Sequence, residues 1–285
     1  MDLSLFQLDG DVLVPTGIAR SMWSDNQMHG VAISGALART IEGCVHGAGR
    51  GDLRPARMTV DLFRPATMDP CRVTAEIVRE GKRICLVDAV LTQGDVRVAR
   101  ASAIFLKPSA SAEGTVWTPE DRPTAPPLDV VPASEDPRPP YFRSSTGGES
   151  RWSQTFSEHQ NGSRKASWNT ALSVVAGEQV TPFQGVAAMA DGASLVTNWG
   201  DKGVEYINTD ITLALARMPQ GLEVGLVAVD RVEEDGVAVG TAAVFDRQGP
   251  LGTVMVTSLV NAHRVVDFDG VEYTDSGERR TTADG

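Results

Sequence analysis

The chain is poor in the residues that would mark several common classes of protein. Only three cysteines (Cys44, Cys71, Cys85) occur in 285 residues, none in a C-x-x-C pair or beside spaced histidines. That argues against both a disulfide framework and a zinc site. No apolar run reaches the roughly 18 residues that a membrane span needs. The opening stretch MDLSLFQLDGDVLVPTG carries acidic side chains where a secretory leader carries lysine or arginine, so a soluble, cytoplasmic protein is expected. Basic residues are scarce as well: 26 Lys and Arg against 37 Asp and Glu leave a formal net charge of −11. That balance argues against nucleic acid, because neutralising phosphates takes a dense basic face. It still permits one anionic small molecule, held by a few local arginines and helix N-termini. No Walker loop, dinucleotide glycine fingerprint or H-E-x-x-H occurs, and Ser34 and Ser194 lack the G-x-S-x-G of a nucleophile elbow.

What is present is an ordinary globular composition, 41% hydrophobic and 22% charged, in a chain long enough to bury about three quarters of its unfolded surface. Proline divides it. Nine of the 16 prolines fall between Lys107 and Tyr141, in a stretch that can hold neither a helix nor a central strand. Residues 108–140 therefore read as an extended connector, and the polar run 271–285 as a frayed tail. Two blocks remain, 1–107 and 141–270.

The blocks repeat one another. Gly30 and Gly185, Arg64 and Arg217, Gly81 and Gly236, and Gly94 and Gly249 stand 155, 153, 155 and 155 residues apart, as expected of an internal duplication. Each block begins with a segment apolar on nearly every face, residues 30–43 and 182–198, which predicts a buried helix. Period-two segments follow, such as Arg72-Val-Thr-Ala-Glu-Ile-Val, with the later glycines at turn-like positions. With few intervening helices these strands should form antiparallel meanders. The expected architecture is α+β: a long antiparallel sheet curled around one buried helix, made twice in tandem.

The stretch TPFQGVAAMADGASLVTNWG followed by YINTDITLALARMP resembles the second half of the acyl-CoA thioesterase II-like family, and HGVAISGALARTIEG followed by ARMTVDLFRPAT resembles its first half. The likeness implies a double hotdog with an acyl tunnel, a CoA-facing groove, acyl-CoA as substrate, no metal or other cofactor, and homo-oligomeric assembly. It places the helix aspartate of the family at Asp191 and the polar strand position at Asn208 or Thr209. The family's glutamine on the last strand is not matched; alignment puts Leu259 there, with Thr257 and Ser258 nearby. The family also sets the first helix across the seam from this aspartate, so that one composite site per chain is expected.

Thioester hydrolysis needs a placed water, a group to take its proton, and donors for the developing oxyanion. Asp191 is the candidate base, because a carboxylate inside an apolar helix is desolvated and its pKa rises. Asn208, Thr209 and Asp210 form a polar cluster where a strand begins. Simple alternation sets Asn208, Asp210 and Thr212 on one face and Thr209 and Ile211 on the other. His29, Gly30 and Val31, at the start of the first helix, offer free N–H groups and the positive end of a dipole as an oxyanion and substrate-binding site. Arg64 and Arg217, at matching strand ends, are candidates for CoA phosphates. The resulting expectation is an acyl-CoA thioesterase acting by aspartate-assisted water attack. Two alternatives stand beside it: a double hotdog that binds acyl-CoA or lipid without hydrolysis, and an enoyl-CoA hydratase-like enzyme, for which the usual D-x-N-P-x-H-like motif is missing.

Overall fold

A computed structural model describes residues 3–145, 151–261, 263–269, 271–273 and 279–281. In the first half a hairpin, β1 (Ser4–Asp9) and β2 (Val12–Pro15), precedes α1 (Gly30–Gly47), β3 (Arg54–Asp61), β4 (Arg72–Glu80), β5 (Ile84–Gln93) and β6 (Val96–Leu106). The second half opens with the hairpin β7 (Tyr141–Ser144) and β8 (Lys165–Thr170), then β9 (Ser173–Val175) and two short helices, α2 (Pro182–Met189) and α3 (Gly192–Asn198). The short strands β10 (Trp199–Gly200), β11 (Gly203–Val204) and β12 (Tyr206–Asn208) lead into β13 (Asp210–Leu215), β14 (Glu223–Glu234), β15 (Val237–Asp246) and β16 (Gly249–Val260). Within the expected tail, β17 (Val271–Tyr273) pairs with β18 (Arg279–Thr281).

The duplication shows in the strand order. One 11-stranded sheet runs β4-β5-β6-β3-β13-β16-β15-β14-β8-β7, with β12 also on β16. It reads as two copies of one four-strand unit in mirrored order. The copies are sealed edge to edge where Thr212 of β13 pairs with Thr59 of β3. The predicted turns hold: the chain reverses around Gly81 and Gly94 in one copy and Gly236 and Gly249 in the other. Gly94 and Gly249 have φ of +55° and +112°, conformations that side chains other than glycine's seldom adopt. The first landmark is displaced, since Gly30 opens α1 whereas Gly185 lies inside α2.

Both helices are buried as their composition requires. Leu37, Ile41 and Val45 of α1 are fully enclosed, each worth about 1.5–3 kcal/mol of apolar burial. One main core runs through both halves, with two smaller aromatic clusters beside it. The expected helix over 182–198 is broken. At Ala190–Asp191 the backbone changes to shorter-range bonds, Asp191 N–H to Ala188 O at 3.4 Å and Ser194 N–H to Asp191 O at 3.0 Å, so the helix tightens for one turn before α3. Residues 108–140 contain no helix or strand.

Candidate active site

The start of α1 is built for a close approach. His29 is its N-cap, with Nδ1 accepting the Ala32 N–H at 3.0 Å, and Nε2 lies 2.8 Å from the Ile18 carbonyl. Those two bonds fix the neutral tautomer with the hydrogen on Nε2. Burial pushes the His29 pKa down, partly opposed by the charge of Asp191. Both ring nitrogens are thus occupied, and His29 caps the helix.

Directly over that helix end sits Asp191, delivered from the second half by the tight turn between α2 and α3. A Cβ built on Gly30 would lie 2.2 Å from Asp191 Oδ1, so only glycine admits the carboxylate. Asn208 Nδ2 donates to Asp191 Oδ1 at 3.0 Å, and the backbone N–H of Val31 favours the charged form of the same carboxylate. Desolvation raises the Asp191 pKa above the ordinary carboxylate value, with the Asn208 bond and the Val31 N–H pulling it back. The side chain is half-buried and borders a cavity of about 1260 Å³.

His29, Gly30, Val31, Asp191, Asn208 and Thr209 all line that cavity, yet they do not act as one cluster. Asp191, Asn208, Gly30 and Val31 converge, with His29 holding the helix beneath them. Thr209 stays apart: its hydroxyl donates to the Thr257 carbonyl at 3.2 Å. The reason is a β-bulge. Asn208 pairs with Ser258 and Thr212 with Met255, so four steps along one strand match three along its partner, and Thr209 is the extra residue. Simple alternation fails there, and Asn208 turns inward like buried Ile211 instead of siding with Asp210 and Thr212.

The position aligned to the family glutamine also moves. Leu259 is 51% exposed, while its neighbour Ser258 is 1% exposed and accepts a bond from Asn198 Nδ2 at 3.0 Å. Arg217 is not free for a phosphate, since it grips Asp246 through two bonds of 2.8 and 2.6 Å. Arg64 and Arg20 are exposed on the cavity rim, with Phe63 beside them.

The other helix start is chemically different. Pro182 removes an N–H from the first turn of α2. The carboxylate facing it, Glu42 from α1, is held by Thr181 Oγ1 and Gln184 Nε2, each at 2.8 Å. Neither Glu42 nor the cavity residues Ser167 and Asn169 stood out in the sequence, because no local spacing marks them.

Comparison with known proteins meets this geometry. Residues 19–106 match the model of the acyl-CoA thioesterase N-terminal domain, and residues 119–260 match that of the acyl-CoA thioesterase C-terminal domain. The chain belongs to the acyl-CoA thioesterase family. Solved double hotdogs agree in fold. A hot dog protein of unknown function from Alicyclobacillus acidocaldarius is 19% identical with a TM-score of 0.62, over 91% of this chain and 96% of its own. A putative thioesterase II from Thermobifida fusca is 13% identical with a TM-score of 0.61, over 90% and 95%. A tesB protein of Mycobacterium avium subspecies paratuberculosis is 14% identical with a TM-score of 0.58, also over 90% and 95%. No curated protein sequence matches the chain. Among the described residues, no helix is long and apolar enough to cross a membrane, and no group of three His, Cys, Asp or Glu side chains stands where it could hold a metal.

Proposed function

We propose that this family member hydrolyses acyl-CoA to a free acid and CoA, with Asp191 as the general base. The observation that carries the reading is the contact of Asp191 with the first turn of α1 across Gly30, inside a large cavity. It sets a proton acceptor beside the positive end of a helix, the two groups that an attack by water on a carbonyl requires.

The thioester carbonyl oxygen lies against the Gly30 N–H at the tip of α1. A water between the carbonyl carbon and Asp191 gives its proton to the carboxylate as its oxygen bonds to carbon. The tetrahedral oxyanion is stabilised by the helix end. It collapses with cleavage of the carbon–sulfur bond, and the proton held by Asp191 passes to the departing thiolate. Asn208 keeps the carboxylate aimed. His29 and Val31 act through position, one capping the helix and the other favouring the ionised carboxylate.

The cavity supports a direction for the substrate. Its rim of Arg20, Phe63 and Arg64 is exposed and includes two arginines that suit phosphates. Its interior, with Phe142 and Phe268, is closed from solvent and suits the acyl group. Release of free thiol from a series of acyl-CoA esters tests the proposal: turnover is expected, and tight binding without thiol release would favour the binding-protein alternative instead.

A further inference from the structure

The interior of this cavity is not the wall that a plain alkyl chain would select. Beneath α3 it is floored by β7 and β8. Ala166 and Trp168 of β8 pack on one side of the strand with Val131 and Phe245; the alternate residues Ser167 and Asn169 face the cavity. Asn169 Nδ2 donates one hydrogen to Ser167 Oγ at 3.0 Å and the other to the Val224 carbonyl at 3.1 Å. That leaves Asn169 Oδ1 free to accept and the Ser167 hydroxyl free to donate. Ser194, one turn beyond Asp191 on α3, adds a second hydroxyl to the same cavity. Among the described residues, none of these remaining capacities is met by the protein. Ser167 is 2% exposed and Ser194 8%. Packed against methylenes, such groups would lose hydrogen bonds they make to water.

We infer that the acyl group accepted here carries a hydroxyl, or another substituent that both donates and accepts hydrogen bonds, seated against Ser167 and Asn169. This deepens the thioesterase reading and rests on it. The amides of the CoA arm have the same hydrogen-bonding chemistry, but Ser167 is buried beside Phe142, whereas the arginines that suit the CoA phosphates, Arg20 and Arg64, are exposed. Phe142, paired with Ser167 in the sheet register, continues the interior as an apolar surface for the body of the acyl group.

The test compares kcat/KM for matched pairs of acyl-CoA esters of equal length, with and without a hydroxyl, the hydroxyl being moved along the chain. At one position or more the hydroxylated ester should be preferred about tenfold, the effect of one good hydrogen bond. In the Ser167→Ala, Asn169→Leu double variant that ratio should fall toward one. Ser194→Ala, on the facing wall, should lower it as well and serves if the β8 variant does not fold. No preference at any position, or a preference that survives these substitutions, overturns the inference. So does a loss common to both esters with the ratio unchanged, because it would put these residues against the CoA arm. If no ester is turned over, the thioesterase reading fails by itself. The dissociation constants of matched thioether analogues, which cannot be hydrolysed, then give the same ratio and decide the inference separately.

Discussion

Gly30→Ala probes the seam between the two halves with a single methyl group. The added carbon would lie 2.2 Å from Asp191 Oδ1 and 2.5 Å from Cγ, about 1 Å inside normal contact. The obstacle is a short side chain, so Asp191 swings away and loses its bond to Asn208. Hydrogen bonds to a charged group are each worth about 1.5–3 kcal/mol, and a misplacement near 1 Å costs about a hundredfold in rate. Activity measured as thiol release should therefore fall about a hundredfold in kcat/KM, near 2.7 kcal/mol. Stability should fall by about 0.5–2.5 kcal/mol, since alanine in place of a helical glycine gains about 0.5–1 kcal/mol against the lost charged bond. The decisive arm is the double variant with Asp191→Asn. If the methyl acts through Asp191, adding it to that background costs almost nothing further, as expected for two residues serving one step. Wild-type activity in Gly30→Ala, or full additivity in the double variant, would refute the reasoning.

Other consequences can be checked one at a time. Desolvation raises the Asp191 pKa and the Asn208 bond lowers it; the base must be ionised, so the rate is lost as pH falls through a value above the ordinary carboxylate range. Asn208→Leu removes a bond to the charged form and should shift that acidic limb of the kcat/KM profile to higher pH; a limb that stays or moves to lower pH contradicts the assignment. Reversing the rim charges with Arg20→Glu and Arg64→Glu should raise KM for CoA esters several-fold while leaving kcat within about twofold, an effect that weakens with added salt. Arg217→Ala leaves Asp246, which is 1% exposed, with the Gln220 and Gln248 N–H bonds but without its counter-charge, and should destabilise the protein by about 2–4 kcal/mol in denaturant melts; a change below 0.5 kcal/mol, a value typical of surface sites, would show that those two backbone bonds suffice.

Much of the architecture is written in local pattern. Alternation along Arg72–Val78 and the glycines at 81, 94, 236 and 249 mark strands and reversals because side-chain period and backbone freedom are properties of neighbouring residues. The apolar segment at Gly30 marks a buried helix for the same reason. Asp191 is legible too, since one carboxylate in an apolar helix is an energetic exception. What local pattern cannot carry is pairing at a distance. The β-bulge at Thr209 depends on how β12 and β13 share β16, and it decides that Asn208 rather than Thr209 meets the carboxylate. Arg217 looks free until Asp246 is folded against it. Gly30 reads as a helix start, yet its lack of a side chain matters because a residue 161 positions away occupies that space.

The central claim is that Asp191 takes the proton of the attacking water. Its most direct measure is the single-turnover rate of thiol release by Asp191→Asn, an isosteric change that keeps the shape of the seam. Loss of a general base should lower that rate at least about a hundredfold with bound acyl-CoA remaining intact. A variant that releases CoA as fast as the unaltered protein would contradict the mechanism.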